Sequence, residues 1–127
     1  MMHDSFKNAG IFHRVGGPAY ISYYKNGSIQ SEEYYIKNKR HREDGPALIE
    51  YYKNGNFHYK RYCINNKSHR EDGPAYVEYY ESGSIFRNIY YVNDKFHREE
   101  GPALAEYSKD GVIYNEAYFR NGVFIKG

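Results

Sequence analysis

The chain has 127 residues and a net charge of +2, from 18 basic and 16 acidic side chains, a balance that argues against nucleic acid as a partner. Its mean hydropathy of −0.94 excludes a thick apolar core. Its 24 aromatic side chains (17 Tyr and 7 Phe, no Trp) exclude a disordered composition.

Tyrosine couples an apolar ring to a polar tip, so the composition points to a thin fold whose side chains sit half buried and half wet. Cys63 is the single cysteine, which excludes an intrachain disulfide. No stretch approaches the ~20 apolar residues of a membrane helix. The opening Met1 to Phe6 lacks the apolar run of a signal peptide. The expectation is a soluble, cytoplasmic protein, or one of a host's cytoplasm if the chain is viral.

Residues 1–12 form a lead-in with a partial repeat. Phe6-Lys7-Asn8-Ala9-Gly10-Ile11-Phe12 echoes Tyr118-Phe119-Arg120-Asn121-Gly122-Val123-Phe124, with the turn residues shifted by one. This piece reads as a cap over the first strand edge. Four units follow, 13–40, 41–68, 69–96 and 97–124, and 125–127 close the chain. His41-Arg42-Glu43-Asp44-Gly45-Pro46-Ala47 recurs nearly unchanged from His69 and more loosely from His13 and His97, each 28 residues apart. A fixed period of this size marks a stacked repeat. The shared columns hold His13, His41, His69 and His97; an arginine after each; Gly17, Gly45, Gly73 and Gly101; Pro18, Pro46, Pro74 and Pro102; and an alanine. Further on come Tyr23, Tyr51, Tyr79 and Tyr107; a second glycine; and Tyr34, Tyr62, Tyr90 and Tyr118.

Within a unit the signals are for strands. Ala47 to Tyr52 is short, β-rich and bounded by turn residues, and Lys53-Asn54-Gly55 supplies the positive φ that a hairpin turn needs. A second strand, Phe57 to Ile64, leads to a reversal at Asn65-Asn66-Lys67, and His69-Arg70 then begins the next strand. Asp-Gly-Pro should kink it, since proline has no N–H for the ladder. The expected fold is all-β: an elongated, twisted antiparallel meander of about eight strands built from four β-hairpin repeats, without helix. Two hairpin registers stay open. A two-residue loop pairs Tyr52 with Phe57; a three-residue loop with a glycine bulge pairs Tyr51 with Phe57. The bulged form is preferred because it gathers Ala47, Ile49, Tyr51, Phe57 and Cys63 on one side.

The motif Tyr-x-x-Asn-x-Lys-x-His-Arg-Glu-Asp-Gly-Pro-Ala, followed by Glu-Tyr-Tyr-x-Asn-Gly, resembles the MORN-like repeat. It is similar to the antitoxin-type MORN repeats of bacteria, and similar arrays occur in large DNA viruses. The resemblance covers residues 6–124. It implies a single-layer solenoid of hairpins and roles in protein binding or scaffolding, with acidic-phospholipid binding proposed for some members. An antitoxin-like inhibitor of a partner protein is a further implied role.

Equivalent residues of successive units should lie about 9–10 Å apart, two strand widths. The two tyrosine rows then either replace the missing core or form a binding face, and the partner-binding candidates are Tyr23, Tyr51, Tyr79, Tyr107, Tyr34, Tyr62, Tyr90 and Tyr118. Arg14 joins them, because Gly16 stands where the other units carry an acid beside their arginine (Asp44, Asp72, Glu100). Histidines at that spacing cannot share a metal ion whose ligands sit ~2.0–2.1 Å away, so no metal or cofactor is expected. Catalysis is not expected either: a ladder separates like groups, whereas catalysis needs unlike groups converging. The expected function is a non-enzymatic protein-interaction or scaffolding module. The alternative is peripheral attachment to acidic phospholipid through Arg14, Lys39, Lys67 and Lys95. A homodimer through the C-terminal edge, 118–125, is also expected.

Overall fold

The computed structural model describes residues 2–8 and 10–127; Met1 and Ala9, both parts of the expected cap, lie outside the described residues. Among these residues there is no helix. Ten antiparallel strands form one sheet in chain order: Met2–Ser5, Tyr20–Tyr23, Ile29–Glu33, Leu48–Tyr51, Phe57–Arg61, Tyr76–Tyr79, Ile85–Ile89, Leu104–Tyr107, Ile113–Arg120 and Val123–Lys126. The first and last strands do not pair with each other, so the sheet is an open meander and not a barrel. The two strands beyond the expected eight are Met2–Ser5, which pairs with Tyr20–Tyr23, and Val123–Lys126, which folds back on the strand before it.

Turn chemistry explains the hairpins. In unit two the Gly55 N–H donates to the Tyr52 carbonyl (2.9 Å) and the Tyr52 N–H to the Asn56 carbonyl (2.8 Å). Gly55 sits at φ +91°, which only glycine adopts without strain. This is the three-residue loop: Tyr51 stands opposite Phe57, and the pairing slips between Glu50 and Tyr51. The other units repeat it as Tyr23 opposite Ile29, Tyr79 opposite Ile85 and Tyr107 opposite Ile113.

The bulge corrects one expectation. Its extra residue inverts the alternation, so that Lys60 faces Ile49 while Arg61 faces Leu48. Cys63, two residues beyond Arg61, falls on the side of Leu48 and Arg61, away from Ile49 and Tyr51.

The second strand also ends earlier than expected. It stops at Arg61, and the Tyr62 N–H donates to the Ala75 carbonyl of the next unit (2.7 Å). The chain then makes a two-residue ladder, Cys63–Ile64 with Lys67–Ser68, closed by Asn65 (φ +48°) and Asn66 (φ +70°). Asparagine bears this left-handed conformation better than most residues. Equivalent ladders join Lys7–Asn8 to Ile11–Phe12, Tyr35–Ile36 to Lys39–Arg40, and Tyr91–Val92 to Lys95–Phe96. His69 and Arg70 do not start a strand; the chain bends through Glu71 to Gly73, and the sheet resumes at Tyr76. The reason is local, since the Arg70 side chain closes the bend onto the Pro74 carbonyl (3.1 Å).

The core is a line of small residues. Ala19, Ala47, Ala75 and Ala103 are 0% exposed. Each interior one joins two units: the Ala47 N–H donates to the Arg61 carbonyl of its own hairpin (2.8 Å), and its carbonyl accepts from Tyr34 of the preceding unit (2.7 Å). Ile49, Val77 and Ala105 are buried along one face. Among the described residues no large side chain is fully buried, so aromatic rings do the shielding that a second layer would otherwise do.

Candidate partner-binding surfaces

The arginine and second tyrosine rows prove to be one stack between units. The guanidinium carbon of Arg42 lies 4.0 Å from the Tyr34 ring centre, that of Arg70 4.0 Å from Tyr62, and that of Arg98 4.1 Å from Tyr90. Each arginine donates from one terminal nitrogen to the carbonyl of its own motif proline, at 3.1 Å for Pro46 and Pro74 and 3.2 Å for Pro102. The motif glycine underneath is needed for space: a Cβ on Gly45 would come within 2.8 Å of the Arg42 guanidinium carbon. Arg14 is held as the others are, 4.0 Å above Phe6 and 3.1 Å from the Pro18 carbonyl. At the far end Tyr118 has Lys126 over its ring (4.7 Å).

The histidines close each unit on itself by a different bond. Nδ1 of His13, His41, His69 and His97 accepts the backbone N–H of Lys37, Asn65, Asn93 and Asn121, at 3.0, 3.1, 3.1 and 2.9 Å. Nδ1 is therefore the unprotonated ring nitrogen in this arrangement. Nε2 faces the carboxylate two residues on, at 3.7 Å for Glu43 and Glu71 and 3.1 Å for Glu99. Among the described residues no three His, Cys, Asp or Glu side chains converge as metal ligands do.

The first tyrosine row stays at the surface, with the aliphatic and aromatic row Ile29, Phe57, Ile85 and Ile113 beside it. Tyr51 and Phe57 stack at 5.5 Å, and Phe57 meets Tyr79 at 5.8 Å. Lys60 reaches 3.8 Å from the Phe57 ring centre. Phe57, Ile85 and Ile113 are 38, 39 and 45% exposed. Some hydroxyls are committed: Tyr23 donates to Asp4 (2.7 Å) and Tyr51 to Glu32. Burial, then the Glu32 bond, pushes the Tyr51 hydroxyl well above its ordinary pKa.

Sequence reasoning missed a third tyrosine row. Tyr24, Tyr52 and Tyr80 donate to the backbone carbonyls of Tyr51, Tyr79 and Tyr107 one unit on, at 2.6, 2.8 and 2.7 Å. The column reads Tyr, Tyr, Tyr, Ser108. Tyr52 also stacks on His58 (4.4 Å). On that same face Glu50 accepts from Tyr59 (3.0 Å) and meets His58 (3.3 Å), and Arg87 joins Glu78 (3.3 Å) to Glu106 (2.6 Å). Burial and Glu50 push the Tyr59 hydroxyl up to about 12.

The acids of the repeated loops point outward. Asp44 and Asp72 touch the Nε of Arg42 and Arg70 (3.1 Å each). In unit four Glu99, not Glu100, is engaged, by His97 and by Arg120 (3.7 Å). Cys63 is buried, and burial raises its thiol pKa, the opposite of what a nucleophile needs. Comparison with protein-family models, with characterised proteins and with solved structures gives no match.

Proposed function

We propose that the chain is a non-enzymatic interaction module, acting in the cytoplasm, that binds another protein through the face carrying Tyr23, Tyr51, Tyr79 and Tyr107. The observation that carries this reading is the double row these tyrosines make with Ile29, Phe57, Ile85 and Ile113, half exposed and continued across four units. Aromatic side chains held in place by neighbours present large contact area at low entropic cost. The resemblance to MORN-like repeats agrees with this role, including that of an inhibitor bound to its target. The Tyr34, Tyr62 and Tyr90 rings are left out of the proposed surface, because the arginine stacks already cover one side of them.

The test is capture of the partner from the source cell by the wild type and by the Phe57→Ala/Tyr79→Ala variant, with circular dichroism confirming the fold. Loss of two hot-spot rings should weaken capture at least tenfold. Equal capture by a folded variant counts against the face. A second reading, binding to acidic phospholipid, keeps Lys39, Lys67 and Lys95, which are exposed on the turns of the short ladders. It draws little from Arg42 and Arg70, which lie in stacks beside acids; Arg14, stacked on Phe6, has Gly16 in place of the acid. Flotation with anionic vesicles at physiological salt tests it, and absence of the protein from the floated fraction counts against it.

A further inference from the structure

We infer that the edge formed by the successive His-Arg loops is a docking groove for an extended basic peptide, taking one lysine or arginine side chain into each cleft between loops. Three equivalent clefts separate the four loops, with volumes of about 420, 730 and 600 Å³ in chain order. Each has an apolar floor made by the second tyrosine and the aliphatic residue two positions on: Tyr34 with Ile36, Tyr62 with Ile64, Tyr90 with Val92. The rims are acidic. Glu43 and Asp44 stand on one side of the middle cleft, Glu71 and Asp72 on the other, with side chains 85–88% exposed.

The arginines cancel only part of this charge: Arg42 and Arg70 donate from Nε to Asp44 and Asp72 (3.1 Å each), which leaves Glu43 and Glu71 without an arginine partner. The guanidinium planes lie on tyrosine rings and one terminal nitrogen of each is spent on a proline carbonyl. The middle cleft holds two arginines and four carboxylates, a balance of −2; the third sets Arg70, Arg98 and the Arg120 that meets Glu99 against Glu71, Asp72, Glu99 and Glu100, a balance of −1. The first is neutral, with Arg14 and Arg42 against Glu43 and Asp44. The whole chain is +2, so the negative strip is local.

An apolar floor beneath a carboxylate rim matches the shape of a lysine or arginine, an apolar stem with a cationic tip. The spacing then selects the peptide. Clefts repeat at two strand widths, about 9–10 Å, and a peptide in the extended polyproline II form advances ~3.1 Å per residue with three residues per turn, so cations three residues apart point the same way and meet adjacent clefts. The middle and third clefts bind the pair and the neutral first cleft adds little. None of Tyr51, Phe57 and Tyr79 lines a cleft, so the two surfaces can fail separately.

The experiment uses fluorescein-labelled Gly-Ser peptides carrying two lysines at positions i and i+3, the same composition with the lysines adjacent, and a two-glutamate version. Fluorescence polarisation is read with the full chain at low salt. The i, i+3 peptide should bind about tenfold tighter than its isomer, weaken as salt rises, and outbind the glutamate peptide entirely. The Glu43→Gln/Glu71→Gln variant removes two carboxylates that make no arginine contact, and it should lose about tenfold of that binding while keeping its melting transition. Phe57→Ala/Tyr79→Ala should leave it unchanged. Equal affinity for the two lysine isomers, or full affinity in the double-glutamine variant, overturns the inference.

Discussion

At the scale of single residues, His-Arg-x-x-Gly-Pro-Ala is a set of mutual requirements. Arginine needs the glycine for room, the proline carbonyl as acceptor and the preceding unit's ring as a floor. Gly73→Ala would put a Cβ 2.9 Å from the Arg70 guanidinium carbon, so Arg70 must leave its ring. The two positions should therefore be coupled. Gly73→Ala is expected to destabilise the wild type by about 1 kcal/mol more than it destabilises an Arg70→Ala background, the worth of one cation–ring contact. Denaturant unfolding of the four proteins measures this, and additive effects would contradict the stack.

The histidine makes an equally specific demand, for an acceptor at Nδ1. Asparagine places its side-chain oxygen near that point and glutamine does not. His69→Asn should retain most of the stability that His69→Gln loses, roughly 0.5–1.5 kcal/mol for one hydrogen bond. Equal loss in both variants would count against the bond from Asn93.

At the scale of the strand, charge and alternation set the two faces. Glu106 is held below the usual carboxylate range, first by the Asn115 amide (2.8 Å) and then by Arg87. A carboxyl whose pKa is lower in the folded state contributes stability above its unfolded value and loses it as the pH falls through the folded one. The stability gap between wild type and Glu106→Gln should thus be widest near neutral pH and close as the pH falls below the ordinary carboxylate range. Urea unfolding across that range decides it; a constant gap would contradict the assignment.

Strand boundaries also show what was legible beforehand. Period, turns and hairpins were readable because Asn-Gly, Asp-Gly and a column of proline each have one local cause. The bulged register, preferred for the side-chain group it makes, is the one found, with Tyr51 opposite Phe57, although Cys63 does not join that group. The side on which Cys63 falls was not readable, because the extra residue that inverts the strand has no signature of its own. Nor was the early end of the second strand, which depends on the Tyr62 N–H turning to a carbonyl in the next unit. The sequence showed two full tyrosine rows, and the structure divides them: Tyr34, Tyr62 and Tyr90 serve the stacks, while Tyr51 and Tyr79 stay on the surface. The missed Tyr24, Tyr52 and Tyr80 row was hidden by Ser108, which breaks the column in unit four.

At the scale of the whole molecule, every unit meets the next through the same set of bonds. Arginine to ring, tyrosine hydroxyl to carbonyl and alanine carbonyl to tyrosine N–H all cross the boundary between one unit and its neighbour. The expected self-association through 118–125 has one mode that charge disfavours. Two-fold pairing of the outer side of Ile113–Ala117 about Glu116 would set two carboxylates opposite each other. Contact through the exposed Val123 and Ile125 avoids that clash. A dimer of this kind should be lost in Val123→Asp when measured by light scattering, and a wild type that stays at 15.0 kDa at high concentration removes the dimer altogether.

If the boundaries are truly equivalent, one unit can be taken out. Removing residues 69–96 joins Ser68 to His97 and leaves three units, enough for a stacked repeat. Small-angle scattering on that excised protein should show a particle shorter by about 9–10 Å, two strand widths, with a cooperative melt retained. An unchanged maximum dimension, or a chain that no longer melts cooperatively, would contradict the picture of a ribbon built by repeating one boundary.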